Sequence, residues 1–446
     1  LTCDMNPAQQ GIYFQWLLEP ESPYYNYQIL LECAGSNTDR IRRALGQALR
    51  ANPQLMAKFG VDSTGRFTQT FPISAIDMDE ISIHEVASAQ EARKICWMKA
   101  AVPFNLEEGP AIAVDEIRIN GYSTWFVLTM NEILIDGWGA MKFMEQLISL
   151  FECRNMDDQE IEVKTAMTSA LEYFQHLSKP EEISAKAREF WSKSLDGVKS
   201  CFPLRDTLNS SCDPYAASVI EVSLDDEATA EIRSTAHALS TSPFAVFVAA
   251  YSLALAAVSD QHDFVVGAPV AGRNDEYEIG VPTLMLNMIA IRTRIDVEKK
   301  ISDTVRSMIS NVTEAVSFGD SVFSKVVSEF ADHTNEDPLF STMVNMLTYP
   351  SLEFWDGDRS LHLTELNTGF TKYDASLYIQ RHGEDYTLQL AYKVAYVTPE
   401  RANKVLALTA WFLTSDWLSG KTTVANAIKT ALNDCDTSQI TMLKSY

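Results

Sequence analysis

The sequence predicts an α+β protein built as two lobes, and three observations carry that prediction. Apolar stretches of strand character alternate with amphipathic stretches of helical period along the chain. In the first half the order reads strand, helix, strand, strand, helix, the content of an α+β unit. With 446 residues the chain exceeds one ordinary core, so it divides into two comparable lobes, drawn here at 1–178 and 179–446.

The first lobe opens on Asn6-Pro7-Ala8-Gln9-Gln10-Gly11-Ile12-Tyr13-Phe14-Gln15-Trp16, where Pro just inside the start and apolar residues at helical spacing predict a helix. Two prolines between 19 and 25 end it. Alternation over 27–33 predicts a strand, and Ile41, Leu45 and Leu49 mark the buried face of a helix over 39–51, which Asn52-Pro53 stops. Strands are expected at 65–71, 111–119 and 123–130, with a helix over 89–101 between the first two. Trp125-Phe126-Val127-Leu128 is aromatic and β-branched, hence a buried strand, and 139–151 is an amphipathic helix. Between them sit two carboxylates, Glu132 and Asp136, which a buried position obliges to be paired or chemically used.

Around Lys179-Pro180 the composition turns polar and a helix is expected over 181–195, the connection between lobes. The second lobe begins with a strand at 218–223, helices over 226–239 and 243–258, and a buried strand at 264–269. That strand leads into Ala271-Gly272-Arg273-Asn274-Asp275, a turn composition with one isolated Arg; Asp263 and Asp275 read as turn residues. A β-rich run at 284–295, helices over 301–318 and 321–330, and strands near 340–347, 375–380 and 386–392 follow. A helix over 399–417 closes the lobe, and the polar tail to Tyr446 reads as the start of an exit linker.

Composition narrows the function. An apolar fraction of 46% with 21 Phe, 16 Tyr and 8 Trp belongs to a folded globular protein. The net charge of −24, spread along the chain, repels phosphate backbones and anionic lipid, so neither nucleic acid nor a membrane is an expected partner. Seven cysteines without a C-x-x-C pair fit a reduced, cytoplasmic setting and read as packing residues. The histidines are scattered without H-E-x-x-H or zinc spacing, so no metal site is expected. The longest apolar stretch, 244–258, is too short to span a bilayer. A start without Met or a signal-peptide pattern suggests a piece of a longer polypeptide.

Several segments recur in a recognisable order. They are Pro7-Ala8-Gln9-Gln10-Gly11-Ile12-Tyr13-Phe14 with Ser22-Pro23-Tyr24-Tyr25-Asn26 behind it, Asn52-Pro53-Gln54-Leu55 with Phe59, and Pro103-Phe104-Asn105-Leu106-Glu107-Glu108-Gly109-Pro110. Then come Asn131-Glu132 through Asp136-Gly137, Gly267-Ala268-Pro269-Val270-Ala271-Gly272-Arg273, Val281-Pro282 through Asn287 to Arg292, and Pro338-Leu339-Phe340 to Asn345. As an ordered set covering nearly the whole chain they resemble the condensation domains of nonribosomal peptide synthetases, in the chloramphenicol-acetyltransferase-like superfamily. The third segment is similar to that family's P-F-D-L-x-x-G-P, the fourth lies where it has H-H-x-x-x-D-G, and the fifth looks like its G-x-P-V-x-G-R loop. Met56 replaces the Arg of the H-P-x-L-R-x-x-F segment. The Val281-Pro282 and 345–349 variants look most like members that take an aryl or acyl starter.

The resemblance implies a pseudodimer of two acyltransferase-like lobes in a V, with a tunnel between them. It also implies a monomeric domain that binds no cofactor of its own. Phosphopantetheine arrives on donor and acceptor peptidyl carrier proteins, one bringing a thioester and the other an amine, with an adenylation domain adjacent in the parent chain. The chain itself carries no Gly-rich phosphate loop and no Ser-centred carrier motif.

At the motif this sequence departs from the family. The second His, credited there with acting on the attacking amine, is Glu132, and the first is Asn131, while Asp136 and Gly137 stand unchanged. Carried over, the catalytic positions are Glu132, Asn131 and Gly137, and Asp136 pairs with Arg273 to tie the lobes. Trp138, Asn287 and Asn345 are candidate tunnel-lining residues; the plainer reading makes Trp138 core and has each Asn satisfying a buried backbone group. Three readings of Glu132 stay open. It replaces His as a base or as a holder of the ammonium; or positioning two tethered substrates suffices without a base; or the domain is a catalytically silent docking platform. A charge that must be desolvated is an unusual relic of decay, which favours a working site.

Overall fold

The computed structural model describes residues 1–34, 38–71, 76–121, 123–153, 155–175, 182–206, 208–273, 276–331, 338–347, 352–356, 359–415 and 420–443. The lobe boundary at 178/179, Lys179-Pro180, Asn274, Asp275 and residues 348 and 349 lie outside them.

The first lobe runs β1 (Thr2–Asp4), α1 (Pro7–Leu18), β2 (Asn26–Ala34), α2 (Thr38–Ala51), β3 (Lys58–Val61), β4 (Phe67–Thr70), β5 (Ser82–Val86), α3 (Ala89–Ala100), β6 (Ile112–Ile119), β7 (Ser123–Asn131), α4 (Gly137–Glu152) and α5 (Met156–Gln175). Asn6 and Gln9 form a reciprocal capping box in front of Pro7, which fixes where α1 starts. The apolar run in β7 reflects a strand covered on both faces. Phe126, Leu128 and Met130 join the core under α2 and α4, while Trp125 and Val127 join a smaller one with Ala92 and Cys96 of α3. Helix α5 has no counterpart in the sequence reading. Its buried face is a broken stripe of Val163, Ala170, Tyr173 and Phe174 in an otherwise polar segment.

The second lobe runs α6 (Ala185–Ser194), β8 (Ala217–Ser223), α7 (Asp226–Ala238), α8 (Pro243–Ser259), β9 (Asp263–Val270), α9 (Glu276–Ile279), β10 (Asn287–Arg294), α10 (Ile301–Ser317), α11 (Phe323–Phe330), β11 (Thr342–Leu347), β12 (Leu352–Asp356), β13 (Arg359–Leu366), β14 (Ala375–His382), β15 (Asp385–Lys393), α12 (Pro399–Thr414), α13 (Val424–Asp434) and β16 (Thr441–Leu443). Helix α8 is apolar all round because α7, α10, α12 and the sheet enclose it. On β14, Leu377 and Ile379 enter this core, whereas Tyr378 and Gln380 are only partly buried on the other face.

Three expectations need correction. The polar tail is no linker as far as Leu443: Val424, Ala427 and Ala431 recur at helical spacing and bury α13, and β16 pairs with β8. Residues 284–286 are not strand, because their backbone is drawn into the first lobe. Asp263 is no free turn residue; it opens β9 and accepts two 2.7 Å hydrogen bonds from the Arg292 guanidinium.

The lobes exchange material. The sheet order of the first lobe is β12-β13-β2-β7-β6-β5, so a hairpin from the second half of the chain completes the first sheet. The second sheet runs β10-β9-β11-β14-β15-β8-β16. In the other seam, Val281 and Met285 lie in the first lobe's core, the Gln54 amide donates to Pro282 O at 2.9 Å, and the Asn6 amide donates to Leu284 O at 2.7 Å. These two crossings fix the first sheet to segments of the second half of the chain.

Candidate functional site

The site is built from the last residue of β7 forward. Asn131 ends the strand by donating its N–H to Ala111 O at 2.9 Å, and its side-chain oxygen accepts the Ile133 N–H at 3.0 Å. The Leu134 and Ile135 N–H groups bond back to the Asn131 and Glu132 carbonyls at 3.0 and 3.2 Å, and Ile133, Leu134 and Ile135 plug the core. This tight turn leaves Glu132 partly accessible between buried neighbours, its N–H held by Tyr25 O at 2.7 Å. Asn131 therefore shapes the turn. Gly137 is the first residue of α4.

Asp136 caps α4 and ties the lobes at once. Its Oδ1 accepts from Gly139 N at 2.8 Å and Arg273 Nη2 at 2.9 Å; its Oδ2 accepts from Arg273 Nη1 at 2.8 Å, Met285 N at 2.8 Å and Leu286 N at 3.0 Å. The two side chains are each only 3% exposed, and Arg273 also donates to the Thr283 and Ala271 carbonyls. The carboxylate's remaining lone pairs face backbone donors, while the buried Arg273 Nε–H has no hydrogen-bond partner among the described residues; the bidentate contact and the backbone bonds hold the pair's geometry.

The Glu132 carboxyl meets a different set of groups. Burial pushes it from 4.5 up to about 7, with the Glu365 carboxylate of β13 adding to the rise and the Lys372 ammonium opposing it. Lys372 follows β13, donates to the Tyr25 hydroxyl at 2.6 Å, and lies 5.1 and 5.5 Å from the Tyr25 and Tyr373 ring centroids. Burial, with Glu132 as a secondary cause, also raises the phenols of Tyr25, Tyr373 and Tyr378, so these stay neutral at ordinary pH. A carboxyl that titrates near neutrality, framed by three phenols and one ammonium, can accept or hold a proton at physiological pH.

The remaining candidates separate. The Trp138 indole donates to Ile279 O at 3.0 Å and lies beneath Lys142, so it fastens α4 to the inserted segment from the second lobe. Asn287 is spent inside the second lobe: its amide donates to Gly319 O and Ser321 O at 2.9 and 2.6 Å and accepts from Phe323 N at 3.1 Å. Asn345 stands in register with Tyr378 across β11 and β14, partly buried on the same sheet face. Sequence reasoning found Tyr25 only as part of a motif. It missed Glu365, Lys372, Tyr373 and Tyr378, because nothing in their local pattern marks them and they meet Glu132 only through the crossover of β13.

No group of three or more His, Cys, Asp or Glu is arranged to hold a metal ion among the described residues, and no single helix there is long and apolar enough to cross a membrane.

The family model described as Condensation domain matches residues 2–406. The chain is 23% identical over 388 residues to a linear gramicidin synthase polypeptide of Brevibacillus parabrevis, covering 83% of this chain and 7% of that protein. To a plipastatin synthase polypeptide of Bacillus subtilis (strain 168) it is 22% identical over 397 residues, covering 88% and 15%. It thus spans a small part of these relatives. Among solved structures, a four-domain holo nonribosomal peptide synthetase bound to AMP and glycine superposes with TM-score 0.77 at 14% identity, covering 96% of this chain and 34% of that one. The condensation domain of the monacolin K polyketide synthase MokA does so with TM-score 0.73 at 16% identity, covering 95% and 99%. At these identities the likeness establishes the fold, the two-lobed α+β arrangement of the chloramphenicol-acetyltransferase-like proteins.

Proposed function

The chain belongs to the condensation-domain family of nonribosomal peptide synthetases, and from that premise we propose that it joins a carrier-bound acyl or aminoacyl thioester to an amine or hydroxyl acceptor, with Glu132 in the working position. The donor and acceptor arrive as phosphopantetheine arms of peptidyl carrier proteins, and the domain contributes no cofactor. The acceptor nitrogen attacks the thioester carbon, a C–N bond forms and the C–S bond breaks. The Glu132 carboxylate takes the proton that the amine must lose and returns it to the departing thiolate sulfur, which leaves as thiol.

The observation that carries this reading is the Glu132 carboxyl itself, placed after β7 between the two sheets and raised by burial to about 7. A base with a pKa near the working pH combines a usable ionised fraction with enough basicity, worth about 10²–10⁴-fold in rate. Positioning two tethered substrates contributes more, with effective molarities of about 10⁵ M or above. Loss of the base therefore slows the reaction without erasing it.

The test loads matched donor and acceptor carriers and follows product by intact-protein mass spectrometry for wild type, Glu132→Gln and Glu132→His. Glu132→Gln is expected to lose about 10²-fold or more, and Glu132→His to retain activity. A Glu132→Gln variant as fast as wild type removes the carboxylate from the chemistry. One observation favours a docking platform instead: every bond of the Asp136–Arg273 pair serves architecture, so the motif keeps its shape without reference to a substrate. Wild type making no more product than the carriers alone would decide for that reading.

A further inference from the structure

Glu132 belongs to the first lobe, yet the cation that acts on it comes from the crossover into the second. The chain from β13 to β14 is pinned at several points. Thr371 N donates to Tyr215 O at 3.1 Å, Asp374 N donates to Ser341 O at 2.8 Å, and the Asp374 carboxylate accepts 2.7 and 3.1 Å bonds from Arg205. Lys372 lies between these anchors, and its ammonium is directed to Tyr25 rather than to solvent. Tyr25 in turn holds Glu132 through its backbone carbonyl. One residue thus grips the carboxylate-bearing turn with its main chain and the ammonium with its hydroxyl. Lys372 and Glu132 make no direct ion pair among the described residues, so the ammonium acts on the carboxyl from across Tyr25.

We propose that Lys372 is a positioning residue for Glu132, supplied by the β13–β14 connection through Tyr25, so that the site is electrostatically complete only while that connection is seated against the first lobe. This rests on reading Glu132 as the working group. The groups around the carboxyl are Tyr25 in the turn before β2, Glu365 on β13, Lys372 and Tyr373 on the connection, and Tyr378 on β14. The phenols are neutral, so the charge state of Glu132 is a balance between burial and Glu365 on one side and Lys372 on the other. Without the ammonium, both unfavourable influences act unopposed and the carboxyl holds its proton more tightly.

The test measures the carboxyl directly. Protein labelled with ¹³C-glutamate is titrated by infrared difference spectroscopy, with Glu132→Gln identifying the Glu132 band. Lys372→Met, which keeps the aliphatic stem, is expected to move the midpoint upward by about one pH unit, a roughly fivefold smaller ionised fraction at neutrality. Lys372→Arg restores it, Tyr25→Phe moves it upward by releasing the ammonium, and Glu365→Gln moves it downward. In the carrier assay, the rise of rate with pH shifts in the same direction for each variant. An unmoved midpoint in Lys372→Met, or in Tyr25→Phe should the first variant not fold, overturns the proposal, as does a rate loss equal at every pH. If the midpoints move as stated while wild type makes no product, the electrostatic coupling stands and the condensation reading alone fails.

Discussion

Replacing Asp136 by Ala would leave the Arg273 guanidinium and the N–H groups of Gly139, Met285 and Leu286 without their acceptor in a buried site. Stranding a buried charge typically costs about 3–5 kcal/mol, and urea unfolding of Asp136→Ala is expected to show a loss of that order. Glu132 has the opposite character. Its carboxyl moves from 4.5 to about 7 on folding, so between those values the folded state binds the proton more tightly than the unfolded chain. Stability therefore falls as pH rises through this window and stays lower above it. At about 1.4 kcal/mol per pKa unit the penalty above neutrality is roughly 3–4 kcal/mol. Glu132→Gln should unfold at a higher temperature than wild type at pH 8.5 and at a similar one at pH 4, where both side chains are neutral. A gain equal at both values would mean that the carboxyl is not the cause. Within one turn, Glu132 thus costs stability while Asp136 supplies it.

At the scale of elements, the contact between α4 and the inserted segment decides the geometry of the motif. Gly139 permits it: a Cβ there would lie 2.8 and 2.9 Å from the backbone O and N of Thr283. Backbone cannot step aside as a flexible side chain can. Gly139→Val is therefore expected to push α4 off the 281–286 segment, lower stability by about 1–3 kcal/mol, and open that segment to limited proteolysis. Gly272 has the same duty on the other side, with φ +61 and a Cβ position only 2.0 Å from Met285 O. The β12–β13 hairpin performs a second service. It pairs along β2 over 360–366 and so covers a nine-residue strand that would otherwise be an open edge.

For the whole molecule, the consequence is that the lobes are not separable by cutting the connection between them. The first sheet lacks its β13 neighbour until the second half of the chain supplies it, and the first core lacks Val281 and Met285. A fragment of residues 1–175 is expected to self-associate in size-exclusion chromatography and to unfold without a sharp transition; co-expression with 182–446 should restore a soluble complex. A sharp, monomeric transition for the fragment alone would refute this interdependence. Aromatic contacts close a further seam, Tyr24 on Tyr215 at 5.1 Å and Trp97 stacked on Phe370 at 6.4 Å. Together with Lys372 on Tyr25, they make any separation of the lobes a repacking of this seam, not a free hinge.

Much of this was legible beforehand because it is local. The period of Ile41, Leu45 and Leu49, the prolines at helix starts, and the apolar run of β7 ahead of a polar turn each follow from short-range sterics and burial, and the structure places α2, α4 and β7 within a few residues of the expected limits. The ordered motifs likewise carried the family, and with it the pairing of Asp136 with Arg273. What no window of sequence contains is which distant segments share a sheet or a cavity. The insertion of 281–286, the transfer of β12 and β13 to the first sheet, and the burial of α13 depend on long-range packing that is paid only once the whole chain is folded. The same holds for the site. The sequence by itself determined that a carboxylate stands where the family has a histidine; only the tertiary structure decided its ionisation, because desolvation, Glu365 and Lys372 act on Glu132 from 233 and more residues away in the chain.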